Sequence, residues 1–349
     1  MDKLERQAAQ QDDDPTAASR KKDHIELALR SQVQAAETDP RFYYEPLLAA
    51  HPPKPGGLRP IPFLGKTLRV PVWVSSMTGG TDWARTINHN LARACHDFGM
   101  GMGLGSCRPL LFSDETLKDF DVREVLGDTL PLYANLGVAQ VEQLIESNET
   151  FRLSDLTKKL KADGLIIHVN PLQEWMQPEG DRFKKPPIET IKTVLEKTDI
   201  RLIVKEVGQG MGRESLKALF QLPLQAVDFA ASGGTNFSKL ELLRSNKTKQ
   251  ELFAQLAQVG HTAEEMVEMS NEIAADLGDK MECRQVIISG GISNFLDGYY
   301  LINKLKLPCA YGQASAFLKH ARGPYEELHE YVAAQVQGLE LANAFLKIK

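Results

Sequence analysis

The chain has 349 residues, 42% of them hydrophobic, and carries 46 acidic against 41 basic side chains for a net charge of −5. That balance, with a pI near 6.0 and no basic cluster larger than Arg20-Lys21-Lys22, excludes a broad cationic face for nucleic acid or an anionic membrane and leaves a small anionic ligand open. The start, MDKLERQAAQQDDD, is charged where a secretory leader is apolar, no run reaches the length of a membrane span, and the four cysteines (Cys95, Cys107, Cys283, Cys309) show neither CxxC nor zinc spacing, so a soluble protein in the reducing cytoplasm is expected.

Residues 1–19, rich in Gln, Asp and Ala, predict a disordered lead-in, and residues 20–349 a single domain. Arg20 to Ile25 opens a helix expected to run to about Ala36, and the Pro-rich stretch 46–62 is extended or turned, a preface folded over one end of the main domain. From Val70 a theme repeats: a short apolar run, then polar or glycine residues, then a helical stretch. The runs are VPVWVSS at 70, GMGLGS at 101, PLYANLG at 131, GLIIHVN at 164, LIVKEVG at 202, AVDFAAS at 226, QVIISGG at 285 and CAYGQAS at 309. Strands buried on both faces read this way, and eight such units predict a (β/α)8 TIM barrel. Residues 238–282 add a pair of charged, amphipathic helical stretches between strands six and seven, an insertion placed to cover the mouth or form a subunit contact. A doubly wound open sheet would need a glycine fingerprint after its first strand, and Thr78-Gly79-Gly80-Thr81 is not GxGxxG.

Barrel chemistry gathers where strands end. After the fourth run comes His168 to Arg182, HVNPLQEWMQPEGDR, with an imidazole (His168), two carboxamides (Asn170, Gln173) and a carboxylate (Glu174) inside seven residues. Each alone could cap a strand, and Glu179 to Arg182 alone could be a solvated turn; together they mark a site. Ser289-Gly290-Gly291-Ile292 and Gly312-Gln313-Ala314-Ser315 end the seventh and eighth runs, where backbone N–H groups can approach the phosphate of a cofactor. Ser76, Met77, Thr78, Ser106, Asn135, Lys205 and Thr235 end other runs with hydrogen-bonding groups suited to a flat heterocycle. Lys205 emerges from an apolar strand, so it either pairs with Glu206 or another carboxylate or faces a ligand.

In order along residues 20–320, the motifs RKKDHI at 20, MTGG at 77, GSCR at 105, HVNPLQE at 168, PEGDRF at 178, VKEVGQGM at 204, GGTNF at 233 and SGGI at 289 resemble those of type 2 isopentenyl diphosphate isomerases. The resemblance implies an FMN-dependent barrel enzyme of isoprenoid biosynthesis. It would interconvert isopentenyl and dimethylallyl diphosphate with reduced FMN, NADPH as reductant and Mg²⁺, and assemble as a homo-tetramer or octamer. Carried over by motif, Ser76, Met77, Thr78, Ser106, Asn135, Lys205, Thr235, Gly290, Gly291, Ala314 and Ser315 would surround FMN. Arg20, Lys21, Arg108, His168 and Asn170 would meet the diphosphate, Glu174 would hold Mg²⁺, and Gln173 would sit at the reacting carbons, catalytic together with Lys205. Two departures fall near the flavin phosphate: FAAS at 229–232, where relatives often have Ser or Gly just after the strand, and Ser293, where a basic residue often follows SGGI. The alternative on the same scaffold is an FMN oxidoreductase of the hydroxy-acid oxidase or dihydroorotate dehydrogenase type. No histidine lies just after strands five to seven to serve the former, whereas Cys107 could be the base of the latter.

Overall fold

The computed structural model describes residues 16–53, 56–76 and 82–349. The chain forms two units, residues up to 42 together with Lys349, and residues 43–348. The first holds a helix, Ala17–Leu27, and a 3-10 turn, Ala35–Glu37, where the Glu37 carboxylate accepts from Gln34 N at 2.8 Å. The helix stops at Leu27 rather than at Ala36. Its side chains from Ser19 onward are exposed, so no apolar face extends it, and a short helix without packing is marginal. Most of the expected disordered lead-in, residues 1–15, lies outside the described residues.

The second unit is a closed barrel of eight parallel strands: β1 Val72–Val74, β2 Gly101–Gly103, β3 Leu132–Gly137, β4 Gly164–His168, β5 Leu202–Lys205, β6 Ala226–Asp228, β7 Val286–Ser289 and β8 Cys309–Gln313, each paired with its sequence neighbour and β8 with β1. Every strand falls within one of the eight apolar runs. Large and small residues alternate to fill the interior: a Cβ on Gly101 would lie 2.6 Å from the Trp73 ring, and one on Gly103 2.5 Å from Ile166 Cδ1. Helices cover the outside: α1 Asp82–Phe98, α2 Val138–Glu146, α3 Phe151–Lys159, α4 Pro171–Met176, α5 Pro187–Lys197, α6 Arg213–Phe220, α7 Phe237–Arg244, α8 Lys247–Phe253, α9 Ala263–Leu277, α10 Phe295–Lys304, α11 Ser315–Ala321 and α12 Tyr325–Phe345. Among the described residues, no helix is long and apolar enough to cross a membrane.

Between β6 and β7, α7 and α8 are the additional pair, and α9 returns to the barrel wall against α6. Asn236 and Asn246 cap α7 and α8, and a Thr262–Glu265 capping box starts α9. α7 packs on α4, so the insertion lies beside the residues that succeed β4.

The opposite rim is closed by a hairpin, Ile61–Phe63 with Lys66–Leu68, which buries Phe63, Leu64 and Leu68. Lys66 Nζ reaches Asp163 Oδ1 at 2.6 Å, while Asp163 Oδ2 accepts from Arg123 Nη2 and Leu132 N, both at 2.9 Å. Burial raises the Asp163 pKa, but the hydrogen bonds from Lys66, Leu132 N–H and Arg123 outweigh it and hold the carboxyl below its usual range. A depressed folded pKa stabilises above the unfolded value, about 3.9, and that contribution is lost as pH falls through the folded value. Asp163→Asn should therefore lower the unfolding free energy by about 3 kcal/mol at neutral pH. In urea melts, the gap to wild type should narrow as pH drops below about 4.

Candidate active site

At the strand ends of β5 to β8 and β1 lies a cavity of about 440 Å³ lined by Ser76, Lys205, Gly290, Gly291, Ala314 and Ser315, with Thr235 at its rim. Glycines and alanines make up part of its wall, at positions where a larger side chain does not fit. Gly290 has φ 90°, and a Cβ there would lie 2.0 Å from Ala231 O. Gly233, φ 107°, meets Gly291 so closely that a Cβ would lie 3.0 Å from the Gly291 Cα. Ala230, in the FAAS segment, also takes a left-handed φ of 43°, which disfavours a residue with a Cβ. Its N–H donates to Ser289 Oγ at 2.9 Å, and Ser289 Oγ donates to Asp228 Oδ1. Ser75 and Ser76 each leave a buried hydroxyl without a partner at the cavity edge.

The β4 end is built differently. Asn170 precedes α4 and Pro171 opens it, the position where a missing N–H costs nothing. Asn170 Nδ2 donates to Gln173 Oε1 at 3.1 Å and Glu174 Oε1 at 3.0 Å, and Glu174 Oε2 accepts from Asp181 N at 2.7 Å. The turn at 179–182 is no free solvated loop. Gly180 lies so close to α4 that a Cβ would be 2.0 Å from Glu174 O, and Asp181 accepts from Gln140 and Gln143, both at 2.9 Å, while pairing with Arg108 at 3.4 Å. Glu179 in turn pairs with Arg244 of α7 at 3.0 Å.

Lys205 joins the two regions. It lines the glycine-walled cavity and pairs in register with His168 on one side and Asp228 on the other. It is 8% exposed, and its ammonium donates to the backbone carbonyl of Glu206 at 2.6 Å. The alternative of a pairing with the Glu206 carboxylate is not realised. Glu206 Oε2 instead accepts from the N–H groups of Gly208, Gln209 and Gly210 at 2.7, 2.6 and 2.9 Å. Burial raises the pKa of Glu206 against these N–H bonds, and raises that of the fully buried Asp228 against the Lys205 charge. His168 Nδ1 lies 2.9 Å from Asn135 Oδ1, and burial with the Lys205 charge lowers the imidazole pKa to about 3.

Of the residues singled out from sequence, Ser76, Lys205, Thr235, Gly290, Gly291, Ala314 and Ser315 share one cavity, while Asn135, His168, Asn170, Gln173 and Glu174 form a connected group beside it. Ser106 and Arg108 are exposed on the segment after β2. Met77 and Thr78 lie outside the described residues, and Arg20 and Lys21 belong to the first unit. Among the described residues no group of three or more His, Cys, Asp or Glu side chains could hold a metal. Glu174 is one carboxylate, enough for Mg²⁺ only where a ligand phosphate and water complete the shell. Sequence reasoning passed over Asp228 as a site residue, although it is an acid in an apolar strand, the signal that drew attention to Lys205.

A cavity walled in part by glycine, beside a buried ammonium and a polar helix start on one rim of a parallel barrel, is the arrangement of a barrel enzyme. No family model matches the chain. It is 33% identical over 329 residues to the isopentenyl-diphosphate delta-isomerase of Rickettsia peacockii, spanning 92% of this chain and 91% of that one. It is 34% identical over 335 residues to that of Rickettsia felis (92% and 90%), and 39% identical over 237 residues to that of Rickettsia prowazekii (68% and 66%). Among solved structures, a flavocytochrome b2 variant with sulfite bound aligns with a TM-score of 0.59 at 14% identity over 87% of this chain and 72% of that one. A mandelate oxidase variant with a monooxide FMN adduct aligns with a TM-score of 0.53 at 13% identity over 88% of each chain. These two show the shared fold. The chain belongs to the isopentenyl-diphosphate delta-isomerase family and is an isomerase.

Cys107, the base that a dehydrogenase would require, is fully buried, donates to Gly105 O at 3.3 Å, and has its thiol pushed up to about 12 by burial. It is no base at neutral pH. Iodoacetamide at pH 8 should leave Cys107 of the native protein unlabelled and modify it in denaturant, as read by peptide mass spectrometry.

Proposed function

We propose that the protein is a type 2 isomerase interconverting isopentenyl and dimethylallyl diphosphate in cytoplasmic isoprenoid biosynthesis, with reduced FMN, NADPH as the reductant and Mg²⁺, working as a homo-tetramer or octamer. The observation that carries this reading is Lys205, which lines the glycine-walled cavity and neighbours His168 at the head of the α4 segment. One ligand could thus lie over the ammonium with its phosphate among the glycines while a second faced α4. Gly290, Gly291, Ala314 and Ser315 suit the phosphate of FMN, and the unpartnered Ser75 and Ser76 hydroxyls and Lys205 suit its ring. The mandelate oxidase relative in fold carries an FMN adduct.

Bound and reduced, the flavin supplies fixed negative charge and a proton-exchanging nitrogen for moving the double bond of an unactivated alkene. Lys205 holds positive charge against that ring. Asn170 Nδ2 holds Gln173 Oε1 at 3.1 Å, which orients the amide; Gln173 can give a proton from Nε2 as Oε1 takes one. Glu174 keeps lone pairs for Mg²⁺ while anchored by Asn170 and Asp181 N. Arg108, its side chain 58% exposed and at the long distance of 3.4 Å from Asp181, can turn to a diphosphate, and Arg20 and Lys21 are the further basic groups assigned to it.

Anaerobic incubation of the protein with isopentenyl diphosphate, FMN, Mg²⁺ and NADPH should yield dimethylallyl diphosphate, and omitting the reductant should abolish turnover. Turnover with oxidised flavin alone would remove the reduced cofactor from the chemistry. Gln173→Leu should cut turnover by about two powers of ten or more with FMN affinity little changed. Gly290→Ala should lose FMN, seen as unquenched flavin fluorescence, because its Cβ would strike Ala231 O.

A further inference from the structure

We infer that Asn135 is a positioning residue that fixes His168 with its proton on Nδ1, so that Nε2 faces the strand-end space as a hydrogen-bond acceptor and takes a hydrogen from bound ligand instead of neutralising phosphate charge. The assignment rests on one group whose role has no alternative. Leu104 O is a backbone carbonyl and can only accept. Asn135 Nδ2 lies 3.1 Å from it, so the amide nitrogen must face that way and Oδ1 must face His168. Oδ1 also only accepts, so at 2.9 Å the proton of the pair belongs to His168 Nδ1. Reversing the amide would set two oxygens against each other at Leu104. Asn135 is 4% exposed and its carbonyl accepts from Cys107 N at 2.7 Å, which holds it in place.

A neutral imidazole with Nδ1–H carries a bare lone pair on Nε2, and no hydrogen bond among the described residues uses it. Gly137, the register neighbour of His168 on β3, lies against both Nε2 and the Gln140 amide: a Cβ there would be 3.0 Å from Nε2 and 2.3 Å from Gln140 Oε1. The charged groups around the ring oppose an imidazolium. Lys205 sits beside His168 on β5, Asp228 lies on the far side of Lys205 in register, and the Glu206 carboxylate is held by the N–H groups of Gly208, Gln209 and Gly210. On the α4 side, Glu174 is occupied by Asn170 and Asp181 N, and Asp181 by Gln140, Gln143 and Arg108. Burial and the neighbouring Lys205 charge lower the imidazole pKa and so favour the neutral ring. Nε2 is therefore matched to an N–H or O–H donor, whether on a flavin or on water held by Mg²⁺ and diphosphate. The ligand side of this inference rests on the isomerase reading, whereas the tautomer does not.

The test is nitrogen NMR on the full chain labelled with [15N]histidine, with His168 assigned by its loss in His168→Gln. The free protein should show His168 protonated at Nδ1 and unprotonated at Nε2, with no titration between pH 6 and 9 while exposed histidines titrate. FMN alone, and Mg²⁺ with inorganic pyrophosphate, should be added separately. A shift of Nε2 with no gain of a proton is expected from whichever ligand carries the donor. An Nε2–H tautomer in the free protein, an imidazolium on adding pyrophosphate, or no Nε2 shift with either ligand would overturn the inference. Asn135→Leu should let an Nε2–H population appear, and an unchanged spectrum would remove the positioning role. Asn135→Asp, which keeps the acceptor should the leucine variant fail to fold, should retain Nδ1–H and bring the ring into titration above pH 6; a ring that still failed to titrate would contradict it. Absence of isomerase turnover alongside the expected tautomer would sink the functional reading and leave this one standing.

Discussion

A buried ammonium at the end of a parallel strand is the constraint on which this rim depends. Lys205 is 8% exposed and is held by a backbone carbonyl rather than a carboxylate. Unpaired charge in a protein interior is costly, and a fully buried acid, Asp228, and a partly buried one, Glu206, stand near it. Glu206 is turned away onto three successive backbone N–H groups, an arrangement that spreads its charge over dipoles and pins the loop after β5. Asp228 has one oxygen bonded by Ser289 and the other without a partner. The ammonium therefore keeps much of its field for the cavity it lines. The same field discourages a second positive charge at His168, so one lysine sets the electrostatics of both halves of the site.

The cavity exists because backbone approaches backbone. The loops after β6 and β7 meet at Ala231 and Gly290 at a separation that leaves no room for a Cβ, and Ala230 is held left-handed by the Ser289 hydroxyl, itself held by Asp228. Alanine in that conformation costs on the order of 1 kcal/mol. The cost is met by a clamp of two buried polar groups, and its result is a close backbone approach on one side of the cavity. Asp228 thus acts on the charge of Lys205 and on the shape of the cavity together.

The insertion between β6 and β7 gives the other half of the site its rigidity. A short helix such as α4 has little stability of its own. α7 packs across it, Arg244 reaches Glu179 of the next turn, and Asp181 in that turn is held from α2 by Gln140 and Gln143. α4 is therefore fixed from two sides, and with it the Asn170, Gln173 and Glu174 side chains that Asn170 ties together.

The sequence by itself determined the barrel, because burial on both faces leaves continuous apolar runs, and all eight strands fall within them. It also determined which residues stand at the strand ends, since HVNPLQE and the two glycine pairs are local features whose position is set by the strands before them. It misplaced the end of the first helix, where nothing in the local pattern reveals that no apolar surface supports a further turn. Only the tertiary structure decided the partner of Lys205, the anchoring of Asp181 by residues 41 and 38 positions earlier, and the contact between His168 and an asparagine 33 positions earlier. Those pairings carry no period and no spacing. They arise when barrel closure brings neighbouring strand ends to one rim, where hydrogen-bond donors and acceptors must be matched in space and not along the chain.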